Sequence, residues 1–358
     1  MTVDLGAVAD NCRLLADTVA PAELWAVVKA DGYGHGAADV GSAALAAGAA
    51  RLCVATYEEA VALRERLPGA PVLVMGPLIP GEEPEVHDVE VAVSSREAYD
   101  RLRAGASAPL AVHVKLDSGM GRWGMAPGDA VAVAGELVAG GGHLRLGGLM
   151  SHLASAESDD ELTSRQLERF AEVSAQVAPC PRHVANSAGA LGRADARWDA
   201  VRCGIAVYGV SPFGDDPEVH GLRPAMRFES FVAQVKRLEP GDGTGYGHRF
   251  TAERPVWIGL VPAGYADGVP RLLSGRMDVL AGGRRRPVVA TISMDQLTFL
   301  IGDQCDVAVG DEVVLLGRQA DETIGPEEWA SRSDTIGYEI VTDIAPRRRR
   351  VKHLVVGG

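Results

Sequence analysis

Residues 24–56 read LWAVVKADGYGHGAADVGSAALAAGAARLCVAT, and their texture decides the fold class. A short apolar run, Leu24 to Lys29, gives way to a glycine-punctuated, alanine-rich segment and then to a second run, Arg51 to Thr56. Short β-branched runs separated by helix-length segments are the pattern of parallel strands, which need crossover connections to return in the same direction. The alternation continues through Val72 to Met75, Val89 to Val93, Leu110 to Leu116, Leu144 to Met150, Arg182 to Ala185 and Ala200 to Arg202. Eight such units in residues 24 to 202 predict an α/β fold, a (β/α)8 TIM-like barrel rather than an open doubly wound sheet. Helix starts are marked by Thr56 with Glu59, Ser94 with Glu97 and Ser158 with Glu161, the spacing at which side chain and backbone satisfy each other's unpaired groups. Upstream, Leu5, Val8, Leu15 and Val19 have helical spacing.

Downstream of Gly221 the texture changes. FESFVAQVKRL, PVWIGLVP, RMDVLAGG, RPVVATISMDQLTFLIG and DEVVLLG are strand-like runs broken by Gly, Pro and Asp. They predict a mainly-β C-terminal domain over 222–358 following a barrel domain over 1–221. Gly282-Gly283 reads as a hairpin turn, because glycine takes positive φ without steric cost. Only Pro326 to Ser331 reads as helix there.

Composition narrows the function. In 358 residues, 47% hydrophobic and 23% charged residues mark an ordinary globular protein, and 35 basic against 48 acidic residues give a net charge of -13. Such a charge repels phosphate backbones and anionic lipid, so neither nucleic acid nor a membrane is expected as a partner. The run Arg347 to Arg350 is read as a solvated face. Cys12, Cys53, Cys180, Cys203 and Cys305 are odd in number and lack disulfide or zinc spacing, so no metal is expected. With no signal-peptide pattern and no apolar stretch of ~18 residues, the chain reads as cytoplasmic.

In a (β/α)8 barrel the reactive groups project from the C-terminal ends of the strands. Lys29 stands at the first such end, Lys115 and Arg122 at the fifth, His152 at the sixth, Asn186 and Ser187 at the seventh, Arg202, Gly204 and Ile205 at the eighth. One by one these have ordinary readings: Lys29 paired with Asp31, Arg202 a salt-bridged core arginine, Asn186-Ser187 loop punctuation. Their convergence on one rim favours a site.

AVVKADGYGHG at 26–36 resembles the cofactor-lysine motif of the alanine racemases, pyridoxal-phosphate enzymes of the barrel type. The resemblance runs through VDLGAVADN (3–11), KLDSGMGRWG (115–124), MSHLASA (150–156), HVANSAG (183–189), VRCGIAVYG (201–209), TGYGHRF (244–250), PAGYADGVPR (262–271), ISMDQ (292–296) and IGYEI (336–340). It implies interconversion of L- and D-alanine with pyridoxal 5'-phosphate, supplying D-alanine for cell-wall peptidoglycan.

By this resemblance Lys29 carries the cofactor and is one proton carrier, and Tyr246 is the other. Racemisation removes the α-proton on one face and returns it on the other, so two groups must oppose each other. A phenol in that role needs cationic or hydrogen-bonding neighbours, and His152 and Arg202 match the family's groups near the cofactor. Arg202 matches the partner of the pyridine nitrogen; arginine keeps its proton, leaves the ring a weaker electron sink and favours return of the proton to the α-carbon over transamination. Tyr33, Asn186, Ser187, Gly204, Ile205 and Tyr338 match the phosphate contacts. Arg122 and the Met294 backbone NH match the substrate-carboxylate site, and Tyr265 and Asp295 the entrance. Lys115 matches a lysine often carbamylated in relatives, an anion able to orient Arg122.

Three departures stand out. Ser293 replaces a frequent cysteine, Gly32 a common alanine, and the start so close to VDLGA implies that a first strand is missing. With Lys29 in one domain and Tyr246 in the other, the resemblance implies a head-to-tail homodimer with shared sites and an inactive monomer. A racemase of serine or another small amino acid is an alternative, since a methyl-sized difference discriminates by only ~1–3 kcal/mol. A non-catalytic pyridoxal-phosphate-binding protein is another, opposed by the presence of residues 222–358. A decarboxylase fits the strand-eight arginine and the opposing tyrosine less well.

Overall fold

The computed structural model describes residues 1–82, 84, 88–140, 142–344 and 354–357; the arginine run 347–350 lies outside them. Strand β1 (Thr2–Asp4) comes first. The barrel strands follow as β2 (Glu23–Val27), β3 (Arg51–Val54), β4 (Val72–Val74), β5 (Glu90–Val93), β6 (Leu110–Lys115), β7 (Leu144–Met150), β8 (Arg182–His183) and β9 (Ala200–Cys203). They close in sequence order, with β9 parallel to β2, and every adjacent pair is parallel. The eight runs read from the sequence are these eight strands. Most of their residues are buried, because a barrel strand is covered inside by its facing strands and outside by helices; all six residues of β6, His113 and Lys115 included, are buried.

The chain forms two compact units, residues 8–32 with 37–207, and residues 1–7 and 33–36 with 208–358. In the first, helix Leu5–Val19 begins at the boundary and buries Val8, Leu15 and Val19, as the spacing foresaw. Helix Tyr57–Arg66 starts with the expected box, Thr56 accepting from the Glu59 amide. The other two caps are one residue later than expected: Ser95 accepts from Ala98 NH and Asp159 from Leu162 NH. In each case two adjacent residues are competent caps, and the one with extended backbone and its oxygen within reach of the free amide takes the role.

In the second unit, a ten-stranded sheet runs in the order Gln234–Leu238, Val256–Val261, Leu297–Gly302, Arg284–Val289, Asp278–Ala281, Glu312–Gln319, Met226–Phe231, β1, Leu354–Val356, with Glu322–Ile324 paired to Glu312–Gln319. Burial alternates along Leu297–Gly302, the mark of a sheet covered on one face. Gly282 and Gly283, with φ 63° and 72°, turn the expected hairpin. β1 corrects the expected loss of a first strand: three residues suffice because one edge pairs antiparallel with Met226–Phe231 and the other parallel with Leu354–Val356. Helix Pro326–Ser333 was foreseen, but Gly337–Asp343, which carries Tyr338, is a second helix.

Candidate active site

The barrel unit collects its expected groups at the C-terminal strand ends. Lys29 follows β2 by two residues, and the backbone then enters the left-handed region at Ala30 (φ 52°), Asp31 (φ 52°), Gly32 (φ 61°) and Tyr33 (φ 52°). Non-glycine residues there store roughly 1–3 kcal/mol each, so the surroundings must hold them. Gly32 NH donates to Val28 O (2.9 Å), Ala30 NH to Glu59 Oε1 (2.6 Å) and Ala37 NH to Asp31 Oδ1 (3.0 Å). Asp31 therefore shapes the turn instead of serving as the simple counter-ion of Lys29. Glu59, whose other oxygen takes the amides of Ala55 (2.8 Å) and Thr56 (3.2 Å), ties this turn to the next strand end. The sequence marked Glu59 only as a cap; nothing in it announced the second grip.

Burial and the Arg122 charge lower the Lys29 pKa from the ordinary lysine value, partly opposed by Glu59. Lys115, the last residue of β6, is buried and lies at about 8, through burial and then the charges of Arg202, Arg122 and Lys29. Its ammonium sits 3.4 Å from Met75 O and 5.7 Å from the Trp123 ring centre. Arg122 is exposed on a loop whose shape is set by Asp117, which accepts from the amides of Gly119 (2.9 Å) and Gly121 (3.1 Å). Gly124 closes that loop: at φ 154° a Cβ would lie 2.4 Å from Asp117 N.

Arg202 is buried in β9. Its guanidinium donates to His183 O (2.7 Å), Ser151 O (2.6 Å) and His183 Nδ1 (2.7 Å), with His152 Nδ1 at 3.3 Å. Burial lowers its pKa to about 10, so it stays cationic near neutrality. His152 is pushed well below the ordinary histidine value by burial and then by Arg202, Arg122, Lys115 and Lys29, and is a neutral imidazole. Asn186 caps helix Ser187–Gly192, its Oδ1 accepting from Gly189 NH (2.9 Å). Ser187 Oγ accepts from the amides of Gly204 (3.0 Å) and Ala206 (3.4 Å), which joins the ends of β8 and β9 and sets Ile205 between them.

The β unit holds the remaining expected residues. Tyr33 and Tyr338 lie with ring centres 6.1 Å apart, and Tyr33 also packs on buried Tyr208 at 4.9 Å. Tyr265 NH donates to Ser293 O (3.1 Å) and Ala266 NH to Met294 O (2.9 Å). A Cβ at Gly264 would lie 2.2 Å from Ser293 O, so glycine permits the two loops to touch. The loop of Tyr246 reaches the same neighbourhood, with Gly245 (φ 71°) against Ala290. Tyr246, Tyr265 and Met294 are 73%, 39% and 53% exposed, and Asp295 is exposed too.

A lysine of lowered pKa on a strained turn thus stands at a barrel rim with Lys115, Arg122 and Arg202, in a chain that continues into a β domain. Family models for the alanine racemase N-terminal domain and C-terminal domain match residues 3–212 and 225–352. The alanine racemase of Mycolicibacterium smegmatis is 43% identical over 99% of this chain and 94% of that protein. That of Thermobifida fusca is 41% identical over 98% and 96%. The crystal structure of alanine racemase from D-cycloserine-producing Streptomyces lavendulae superposes with TM-score 0.92 at 38% identity, covering 100% of this chain and 96% of that one. The Bartonella henselae enzyme, solved with covalently bound pyridoxal phosphate, gives 0.87 at 29% identity, covering 99% and 98%. The chain belongs to the alanine racemase family, and its reaction is the isomerisation of alanine between its L and D forms.

Proposed function

We propose that the reaction uses pyridoxal 5'-phosphate and two proton carriers, Lys29 and Tyr246. The observation that carries this reading is Lys29 itself: an amine of lowered pKa, fixed by a left-handed turn, at a rim rich in cations. The donor set fits the cofactor. A phosphate and a carboxylate are anions, and Lys115, Arg122 and Arg202 supply charge against them. Arg202, a donor whose contacts described above are all neutral acceptors, suits an unprotonated ring nitrogen.

In this reading Lys29 holds the cofactor, and Ser187, Asn186, Gly204, Ile205, Tyr33 and Tyr338 hold its phosphate. When bound, the cofactor supplies an electron-accepting ring conjugated to the substrate nitrogen, which acidifies the α-proton. Arg122 and the Met294 amide hold the substrate carboxylate, and Tyr265 and Asp295 line the entrance. The lysine amine takes or returns the α-proton on one face; the Tyr246 phenol does so on the other, with neutral His152 and cationic Arg202 as the groups near the ring. Lys115, with an amine at about 8, is reactive toward carbon dioxide, and a carbamate there orients Arg122. Exposure of Tyr246, Tyr265 and Met294 supports a homodimer in which the partner's Tyr246 serves Lys29. The product role is D-alanine supply for peptidoglycan. The proposed location is cytoplasmic, in keeping with five free cysteines, and the proposed domain boundary falls between 221 and 222.

Purified enzyme with pyridoxal phosphate and L- or D-alanine in deuterated water tests this. Tyr246→Phe is expected to lower turnover by about 10²–10⁴-fold, the range for a positioned acid–base group. α-Proton exchange should be lost for one enantiomer and retained for the other. Undiminished exchange of both removes Tyr246 from the mechanism. Alongside, L-serine turning over as fast as L-alanine would make the protein a general small-amino-acid racemase.

A further inference from the structure

Behind Arg202 the barrel interior is polar, where layers of branched apolar side chains are the rule. His183 Nε2 lies 2.9 Å from His113 Nδ1, and His113 Nε2 lies 2.6 Å from Glu90 Oε2, which also pairs with Arg51. Together with the 2.7 Å contact between Arg202 and His183 Nδ1, the chain Arg202–His183–His113–Glu90 crosses the barrel through β9, β8, β6 and β5. Both imidazoles are fully buried, and the Trp25 ring packs on each, at 4.4 Å from His183 and 5.9 Å from His113.

Space is reserved for this row. A Cβ at Gly148 would lie 2.5 Å from His113 Nδ1 and 2.8 Å from Pro181 O, and one at Gly147 would lie 3.1 Å from the same ring. Neither glycine has a positive φ, so room and not conformation is what they provide. The strand pairing also slips between Val112 and His113, where the imidazole turns inward.

The ends of the row fix its direction. A guanidinium only donates and a carboxylate only accepts. Glu90 therefore requires Nε2–H on His113, whose Nδ1 then accepts from Nε2–H of His183, whose Nδ1 accepts from Arg202. Reading from Arg202 gives the same order, so each neutral imidazole has one allowed tautomer. Burial lowers both histidine pKa values, and Glu90, despite its burial, is held at about 2 by His113 and Arg51. Such a row is a poor way to gain stability, since apolar filling of a core is usually at least as stabilising.

We infer that His183 and His113 are positioning residues, forming with Glu90 a one-way hydrogen-bond relay that fixes Arg202 as a donor at the barrel rim and so sets its action on the cofactor ring nitrogen. The relay rests on the reading of Arg202 given above. It explains why a cation lies behind the site with no carboxylate among its described contacts: the acceptor is two imidazoles away.

The test begins with the intact protein. In ¹⁵N-histidine-labelled holoenzyme at neutral pH, long-range ¹H–¹⁵N spectra should show two neutral imidazoles protonated at Nε2 and bare at Nδ1, assigned by His113→Asn and His183→Asn. An Nδ1–H tautomer or a cationic ring at either position overturns the relay. The functional arm compares Glu90→Gln with Arg202→Gln. Glu90→Gln should lower kcat about tenfold, the size of one charge-assisted hydrogen bond, with KM nearly unchanged and more pyruvate formed per turnover. Loss with Arg202→Gln but not with Glu90→Gln overturns the relay, whereas no loss with either overturns the reading of Arg202 beneath it.

Discussion

The rim of the barrel and the loops of the β sheet solve opposite problems. At the rim, Lys115 and Arg202 are buried, burial lowers the pKa of each, the Arg202 charge lowers that of Lys115 further, and hydrogen bonds to fixed carbonyls leave little freedom. On the loops, Tyr246 and Met294 stand out into solvent on backbones held together by glycine contacts. The first arrangement keeps its chemistry ready within one unit. The second presents aromatic and thioether surface that gains by being covered, which fits the proposal that the second proton carrier comes from a partner chain. If the contrast holds, damage at the rim acts on chemistry and damage on the loops acts also through association.

The largest effect expected is at the rim. Lys29→Ala should lower racemisation by about 10⁴-fold, the upper range for a positioned proton carrier, measured by D-alanine formation from L-alanine. Circular dichroism should show an unchanged fold, since the strained turn is held by Glu59 and Asp31 and not by the lysine. Activity within tenfold of the wild type would remove Lys29 from the chemistry.

Next comes packing beneath the rim. Gly148→Ala places a methyl group against the His113 ring and Pro181 O, and overpacking of this kind destabilises by about 1–3 kcal/mol. Thermal denaturation should show a lower Tm. An unchanged Tm would mean that the interior yields more easily than its close contacts imply.

The smallest effect concerns pH. The Lys115 amine lies at about 8, below the ordinary lysine value, through burial and then Arg202, Arg122 and Lys29. Because the folded value is the lower one, its contribution to stability is full above the unfolded lysine pKa and is lost as the pH falls through about 8. The neutral, carbamate-forming fraction follows the same direction. With ¹³C-bicarbonate, the carbamate signal should rise between pH 7 and 9, and a flat signal would count against Lys115 as its site.

Much of the rim was legible because barrel strands advertise themselves as β-branched runs and reactive groups follow their ends. Lys29, His152, Ser187 and Arg202 all lie where that rule puts them. Less legible were features that depend on one residue of register: Ser95 and Asp159 cap where Ser94 and Ser158 are as good on paper. The left-handed turn after Lys29 was hidden because only Gly32 of its four residues signals positive φ, and Glu59, which steadies it, is distant in sequence. Helix Gly337–Asp343 was missed because GYEIVTD is too short to show a period. The His113–His183 row was invisible, since a histidine inside an apolar run looks the same whether it is isolated or linked.

The central claim, a site completed by two chains, is tested most directly by mixing. Lys29→Ala and Tyr246→Phe protein, each nearly inactive, are unfolded together and refolded as a mixture with pyridoxal phosphate. Random pairing makes half of the dimers mixed, each with one intact site, so racemase activity should return to about a quarter of that of wild-type protein treated alike. If both proton carriers come from the same chain, every site in the mixture lacks one of them, and activity will stay at the level of the separate variants.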